Sequence, residues 1–139
     1  MSSLDNLCST WKPRLLSIMR IMVGLMYLQH GLNKILNFPP TATHHAYQVM
    51  TLVPGLAGLI ETIGGILIVL GLFTRPVAFI CSGEMAVAYF LHHAPGGFFP
   101  LLNGGERAVV YCFVFLFLSA AGGGPWSVDA ARSRPSAGA

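Results

Sequence analysis

Seven side chains bring acid–base or ionic chemistry into or beside apolar stretches of this sequence: His30, Lys34, Glu61, Glu84, His92, Glu106 and Arg107. Glu61 is the sharpest case, because it interrupts GLAGLIETIGGILIVLGLFTR, residues 55–75, in which the final arginine is the other charge. A charged side chain at the centre of a bilayer costs about 2.5–3.5 kcal/mol on insertion scales, so Glu61 is expected to be protonated, paired, or turned toward a polar interior. Glu61 and His30 are the candidate catalytic pair, the carboxyl as a proton carrier and the imidazole as a hydrogen-bond partner for a reacting oxygen. Lys34, Glu84, His92, Glu106 and Arg107 are the candidate ligand-binding groups. His30, His92 and Glu61 would also offer a mixed nitrogen and oxygen set to Zn²⁺, Cu²⁺ or non-haem iron, although their spacing matches no metal motif. The competing reading of Glu61 is structural, since polar side chains also join helices in membranes.

These residues need a scaffold, and the composition says which. Of the 139 residues 54% are hydrophobic and 9% charged, and the mean hydropathy is +0.65, too apolar for a soluble domain of this size. A spanning helix needs about 20 apolar residues to cross a core about 30 Å thick. Apolar runs near 15–36, 54–73, 76–93 and 106–121 therefore predict an all-α, integral-membrane four-helix bundle, one domain over 1–139. Pro13 reads as the opening of the first span, and Asn37-Phe38-Pro39-Pro40 as its end. Thr74-Arg75-Pro76 leaves the second and third spans so close in sequence that they must be an antiparallel pair. Residues 42–50 have helical potential without spanning length, and the Gly and Pro of APGGFFPLLNGG forbid a regular helix throughout. The tail, 122–139, is small, polar and basic, and is expected to fray beyond Asp129.

Lys12, Arg14, Arg75, Arg132 and Arg134 fall on one side of such a bundle, and Lys34 and Arg107 near the other. The positive-inside rule then puts both termini in the cytoplasm of a multi-pass inner-membrane protein. No basic run exists, which excludes nucleic acid as a partner. Cys8, Cys81 and Cys112 are scattered and odd in number, so neither a disulfide framework nor a thiolate metal knot is expected.

Lipid cannot solvate ionisable groups, so the stable arrangement turns them inward, around a polar pocket in the outer half of the bundle. His92 lies about 80° around the helix from Glu84 and His93 about opposite it, from 100° per residue, which favours His92 as the inward partner. His44, His45 and His93 read as exposed, Arg20 as a snorkelling or paired charge, and Arg75 as an anchor at the turn. The Met cluster 19, 22, 26 and 50 reads as core filling. Gly55, Gly58, Gly64, Gly65 and Gly71 thin one side of the second span, for the bundle's centre or an oligomer seam.

The ordered set Arg20, Gly24, His30-Gly31, Lys34, then Glu61-x-x-Gly64-Gly65 to Gly71-Leu72-x-Thr74-Arg75, then Gly97-Phe98, Asn103-Gly104-Gly105-Glu106 and Gly124-x-x-Ser127-x-Asp129 resembles the DoxX family of small bacterial membrane proteins. The resemblance runs from about Leu15 to Asp129 and implies a four-helix membrane bundle with a loose tie to redox chemistry. Relatives in that family include a subunit of thiosulfate:quinone oxidoreductase and partners of sulfur or oxidative-stress enzymes. His30, Lys34, Glu61 and Glu106 match the family's polar positions. Glu84, His92 and His93 rest on depth and facing alone.

Together these readings point to the membrane subunit of a redox system that binds a quinone in the outer pocket, with Lys34 attracting an anionic donor. The expected partners are the lipid bilayer, further copies of the chain in a homo-oligomer, and a soluble or membrane redox protein. No cysteine falls in the expected pocket, which argues against a persulfide mechanism. The alternatives are a non-catalytic membrane partner or assembly factor, and metal or small-solute handling.

Overall fold

The computed structural model describes residues 2–42 and 51–133, whose regular structure is helical, without a strand among them. Six α-helices follow in order: α1 (Ser3–Leu36), α2 (Ala57–Leu70), α3 (Thr74–Ala88), α4 (Pro100–Asn103), α5 (Glu106–Ala121) and α6 (Val128–Arg132). Single π-helical turns, Leu52–Leu56 and Tyr89–His93, precede α2 and follow α3. Among the described residues α1 is the one helix long and apolar enough to cross a bilayer, and α2 is a shorter apolar helix. The segment 43–50, with His44, His45 and Met50, and Arg134 in the tail lie outside the described residues.

The first helix does not open at Pro13. It begins ten residues earlier, because Ser2 and Asp5 form a capping box, the Ser2 hydroxyl accepting from the Asp5 N–H and the Asp5 carboxylate from the Ser2 N–H. Pro13 is accommodated inside α1. α1 packs along α2 and α3 along α5, while α2 against α3 joins the two pairs. Close approach of α1 to α2 depends on missing side chains: a Cβ on Gly65 would stand 2.8 Å from Leu28 Cα, and one on Gly24 2.9 Å from Val69 Cγ2. The glycine face of α2 is thus a seam within the chain. Behind it Tyr27, Ile68, Cys81, Phe115 and Leu118 are fully buried, the Tyr27 and Phe115 rings meeting edge-on at 4.7 Å.

At the end of the fold that holds the tail, Arg20 is completely buried rather than snorkelling. Its guanidinium donates to the carbonyls of Ile68 (2.6 Å) and Val69 at the C-terminus of α2, and to those of Gly123 (2.8 Å) and Trp126 (2.6 Å). A planar fork with five donors suits four converging carbonyls, and a cation at a helix C-terminus is favourable besides. α2 ends on Gly71 at φ 68°, where its Cβ would clash with Ser127. The tail does not fray at Asp129 but turns into α6, capped by the Ser127 hydroxyl. Asp129 in turn accepts the N–H groups of Phe73 (2.9 Å) and Thr74 (2.8 Å), capping α3 from a distant segment. Burial opposes ionisation of Asp129, but the hydrogen bonds from Thr74 and Phe73 and the nearby Arg132 hold its carboxyl below the ordinary value. Arg75 donates to the Ser119 and Ala120 carbonyls at the end of α5.

The outward faces are apolar: Ile63, Ile66, Phe79, Ile80, Phe113 and Phe117 are all exposed. Met22 and Met26 belong to this outer surface, not to the core, and Met19 is the described member of that cluster that packs against the core. Around α4 the apolar side chains stand furthest out, with Phe98 84% exposed.

Candidate functional site

At the opposite end from Arg20, α1, α2, α3, the π-helical turn after α3, and α5 enclose a cavity of about 240 Å³. It is lined by His30 and Lys34 from α1, Glu61 from α2, Glu84 from α3, His92 and His93 from the turn, and Arg107 and Tyr111 from α5. Met85, Ala88 and Ala108 form apolar wall between them. Their sequence spacing explains the convergence: His30 and Lys34 are one turn apart on α1, as are Arg107 and Tyr111 on α5.

The charges are arranged in a definite order. Lys34 Nζ reaches both carboxylate oxygens of Glu61, 2.5 Å from Oε1, the one ion pair among the described residues. The Glu61 side chain is 3% exposed and that of Lys34 26%, so the acid is the deeper partner. Gly31 makes the pair reachable, because a Cβ there would overlap Thr62 and the Glu61 backbone. Glu84 has no cation on it and accepts the Tyr27 hydroxyl at 2.9 Å. Arg107 makes no ion pair among the described residues. The His30 ring lies edge-on to Tyr111 with centroids 6.0 Å apart.

Six of the seven side chains singled out in the sequence therefore share one cavity. The seventh, Glu106, is exposed in the first turn of α5 and does not line it. A carboxylate there has a sufficient role at the positive end of the helix. His93, expected to point away, lines the cavity with His92 and is the less exposed of the two. The reason is local: the turn 89–93 is π-helical, so the rotation of 100° per residue no longer applies. His93 Nδ1 also lies 3.2 Å from the Asn103 carbonyl, which ties the turn to α4.

Lys34 was expected to attract an anion, but its charge is already matched by Glu61, and Arg107 is the unmatched cation. Two tyrosines escaped the sequence reading. Tyr27 and Tyr111 look like aromatic packing, and the signal that would have found them is a hydroxyl that must be satisfied inside an apolar helix. Among the described residues no cluster of three or more His, Cys, Asp or Glu is grouped to hold a metal. Cys81 is buried behind Gly64 and does not line the cavity.

The comparisons agree with this picture at the level of family. The DoxX family model matches residues 15–94, which carry most of α1, all of α2 and α3, and all but Arg107 and Tyr111 of the cavity's polar lining. A protein of Haemophilus influenzae described as uncharacterized is 42% identical over 127 residues, covering 89% of this chain and 95% of its own length. No solved structure matches. With more than half its length under the family model, this chain belongs to the DoxX family.

Proposed function

We propose that the chain is the quinone-binding membrane subunit of a redox system, folded as a four-helix membrane bundle with both termini in the cytoplasm and the cavity in the outer half of the bilayer. The observation that carries this reading is the pairing inside the cavity: one carboxylate neutralised by Lys34, a second held by a tyrosine hydroxyl, and a free Arg107, all within a fold whose outer faces are apolar. Family membership supports the membrane setting. The exposed Ile and Phe faces of α2, α3 and α5 would meet lipid, where they need no partner.

The donor set fits a quinone head group: His30, Arg107 and the Tyr111 hydroxyl can hydrogen-bond two oxygens, and Met85, Ala88 and Ala108 supply flat apolar wall. A quinone held there would accept two electrons from a redox partner and two protons. Glu84 is the group suited to passing protons, because it lines the cavity and can gain or release one there without breaking an ion pair, while the Tyr27 hydroxyl donates to its carboxylate. Glu61 then has a different role from the proton carrier read in the sequence. Paired with Lys34, it fixes the ammonium and the local charge. His30 would orient a quinone oxygen, and Arg107 would supply positive charge beside it.

The test is to extract quinone from protein purified in mild detergent and count it per chain. Near-stoichiometric quinone in the wild type, reduced at least severalfold in His30→Ala and Arg107→Ala, is the expected result. Wild-type protein that carries none, and binds none when it is supplied, would end the proposal.

A further inference from the structure

The polar cavity is not closed on the side facing α2 and α3. A second cavity, about 290 Å³, lies against it, and the two share Ala57, Glu84, Ala88 and His92. Beyond this shared neck the second cavity is a groove walled by Leu52, Leu56, Ile60, Ile80 and Val87. Leu52, Leu56, Ile80 and Val87 are each exposed on the outer surface of the fold. The polar chamber therefore continues sideways, between α2 and α3, into an apolar trough that opens where acyl chains would lie.

We infer that this groove is a lateral portal that holds the isoprenoid tail of a quinone whose head occupies the polar chamber. The inference rests on the quinone reading of the chamber and adds to it a route of entry and a tail site. Continuity is the first argument: a head group in the chamber meets an apolar exit whose neck is lined by the small residues Ala57 and Ala88. Charge is the second. Lys34 and Glu61 cancel, leaving Arg107 and Glu84 as the unmatched pair of opposite sign, so the chamber suits a neutral head group better than a phosphate.

The two carbonyl-bearing probes to compare are decylubiquinone and ubiquinone-0, which share a head group and differ in the tail. Binding of each is measured to full-length protein in lipid nanodiscs, for the wild type, Ile80→Trp and Val87→Trp, with Phe113→Trp on the far side as the control. Ile80 and Val87 are exposed and outside the polar chamber, so indole there fills the groove and leaves the core intact. Indole in the groove takes the space of the tail, so decylubiquinone affinity should fall about tenfold or more in both groove variants, about 1.4 kcal/mol or more. Ubiquinone-0 affinity should be unchanged, and Phe113→Trp should alter neither.

Equal loss of both probes in the groove variants, or loss of neither, overturns the portal while leaving the chamber reading in place. Failure of the wild type to bind either probe overturns both. A phospholipid retained by the wild type, released by the groove variants and not displaced by decylubiquinone, would assign the groove to lipid and overturn the portal. Melting temperatures of all variants show that each remains folded.

Discussion

Removing one partner of the Lys34–Glu61 pair should not be symmetric. Glu61 is 3% exposed and has Lys34 as its cation, so Lys34→Met strands a carboxylate in the deepest part of the cavity. Breaking a buried pair in this way costs about 3–5 kcal/mol. Glu61→Gln strands an ammonium whose side chain is 26% exposed and flexible enough to reach the cavity mouth, and the amide can still accept a hydrogen bond. The expected cost there is about 1–2 kcal/mol. The double variant leaves neither charge behind, so its cost should fall below the sum of the singles, with a coupling of about 1–3 kcal/mol. The assay is reversible unfolding in mixed micelles of increasing denaturing detergent, for all four proteins at one pH and lipid composition. Additive costs, or a Glu61→Gln cost exceeding that of Lys34→Met, would refute the pairing and the depth order behind it.

Arg20→Met should be among the most destabilising single changes, about 3–5 kcal/mol in the same assay, since it unpairs four carbonyls at once; Arg20→Lys should recover only part, because an ammonium lacks the fork that spans them. Asp129→Asn should cost about 1 kcal/mol at neutral pH by weakening the cap on α3. The Asp129 carboxyl sits below its ordinary value of 3.8 in the folded protein, so its contribution is complete above that value and is lost as pH falls through the lower folded one. The gap in melting temperature between wild type and Asp129→Asn should thus be constant down to about pH 5 and close below about pH 4. Gly65→Ala should cost about 1–3 kcal/mol by pushing α2 off Leu28, while Gly83→Ala, with open space around it, should be neutral or stabilising by up to about 1 kcal/mol; thermal melts compare the two.

The all-helical class and the polar cavity were legible in the sequence for the same reason: apolar runs are long enough to read, and an ionisable residue inside one has few places to go. Depth and facing sufficed for His30, Lys34, Glu61 and Glu84, which sit within regular helix. They failed for His93, because no pattern in YFLHH announces a π-helical turn. They failed for Glu106 too, because at a helix end a carboxylate has a local role that needs no cavity. Pro13 was misleading in another way. A proline marks where a helix can start, but the Ser2–Asp5 capping box upstream is the stronger signal. The lattice of Arg20, Gly71, Ser127 and Asp129 was visible only as separate pieces of a family pattern. Arg20, Gly71 and the segment 127–129 lie some 50 to 110 residues apart in sequence, and their function as mutual caps appears when the ends of α2, α3 and α5 are brought together.

The account turns on an outward-facing polar chamber that a quinone can occupy, and one labelling measurement tests both parts. His92→Cys, in a background of Cys8→Ser, Cys81→Ala and Cys112→Ala, places a thiol on the lining shared by chamber and groove. A membrane-impermeant maleimide added to spheroplasts should label it, and decylubiquinone should slow the labelling. Labelling confined to inside-out vesicles, or unaffected by the quinone, would contradict the account.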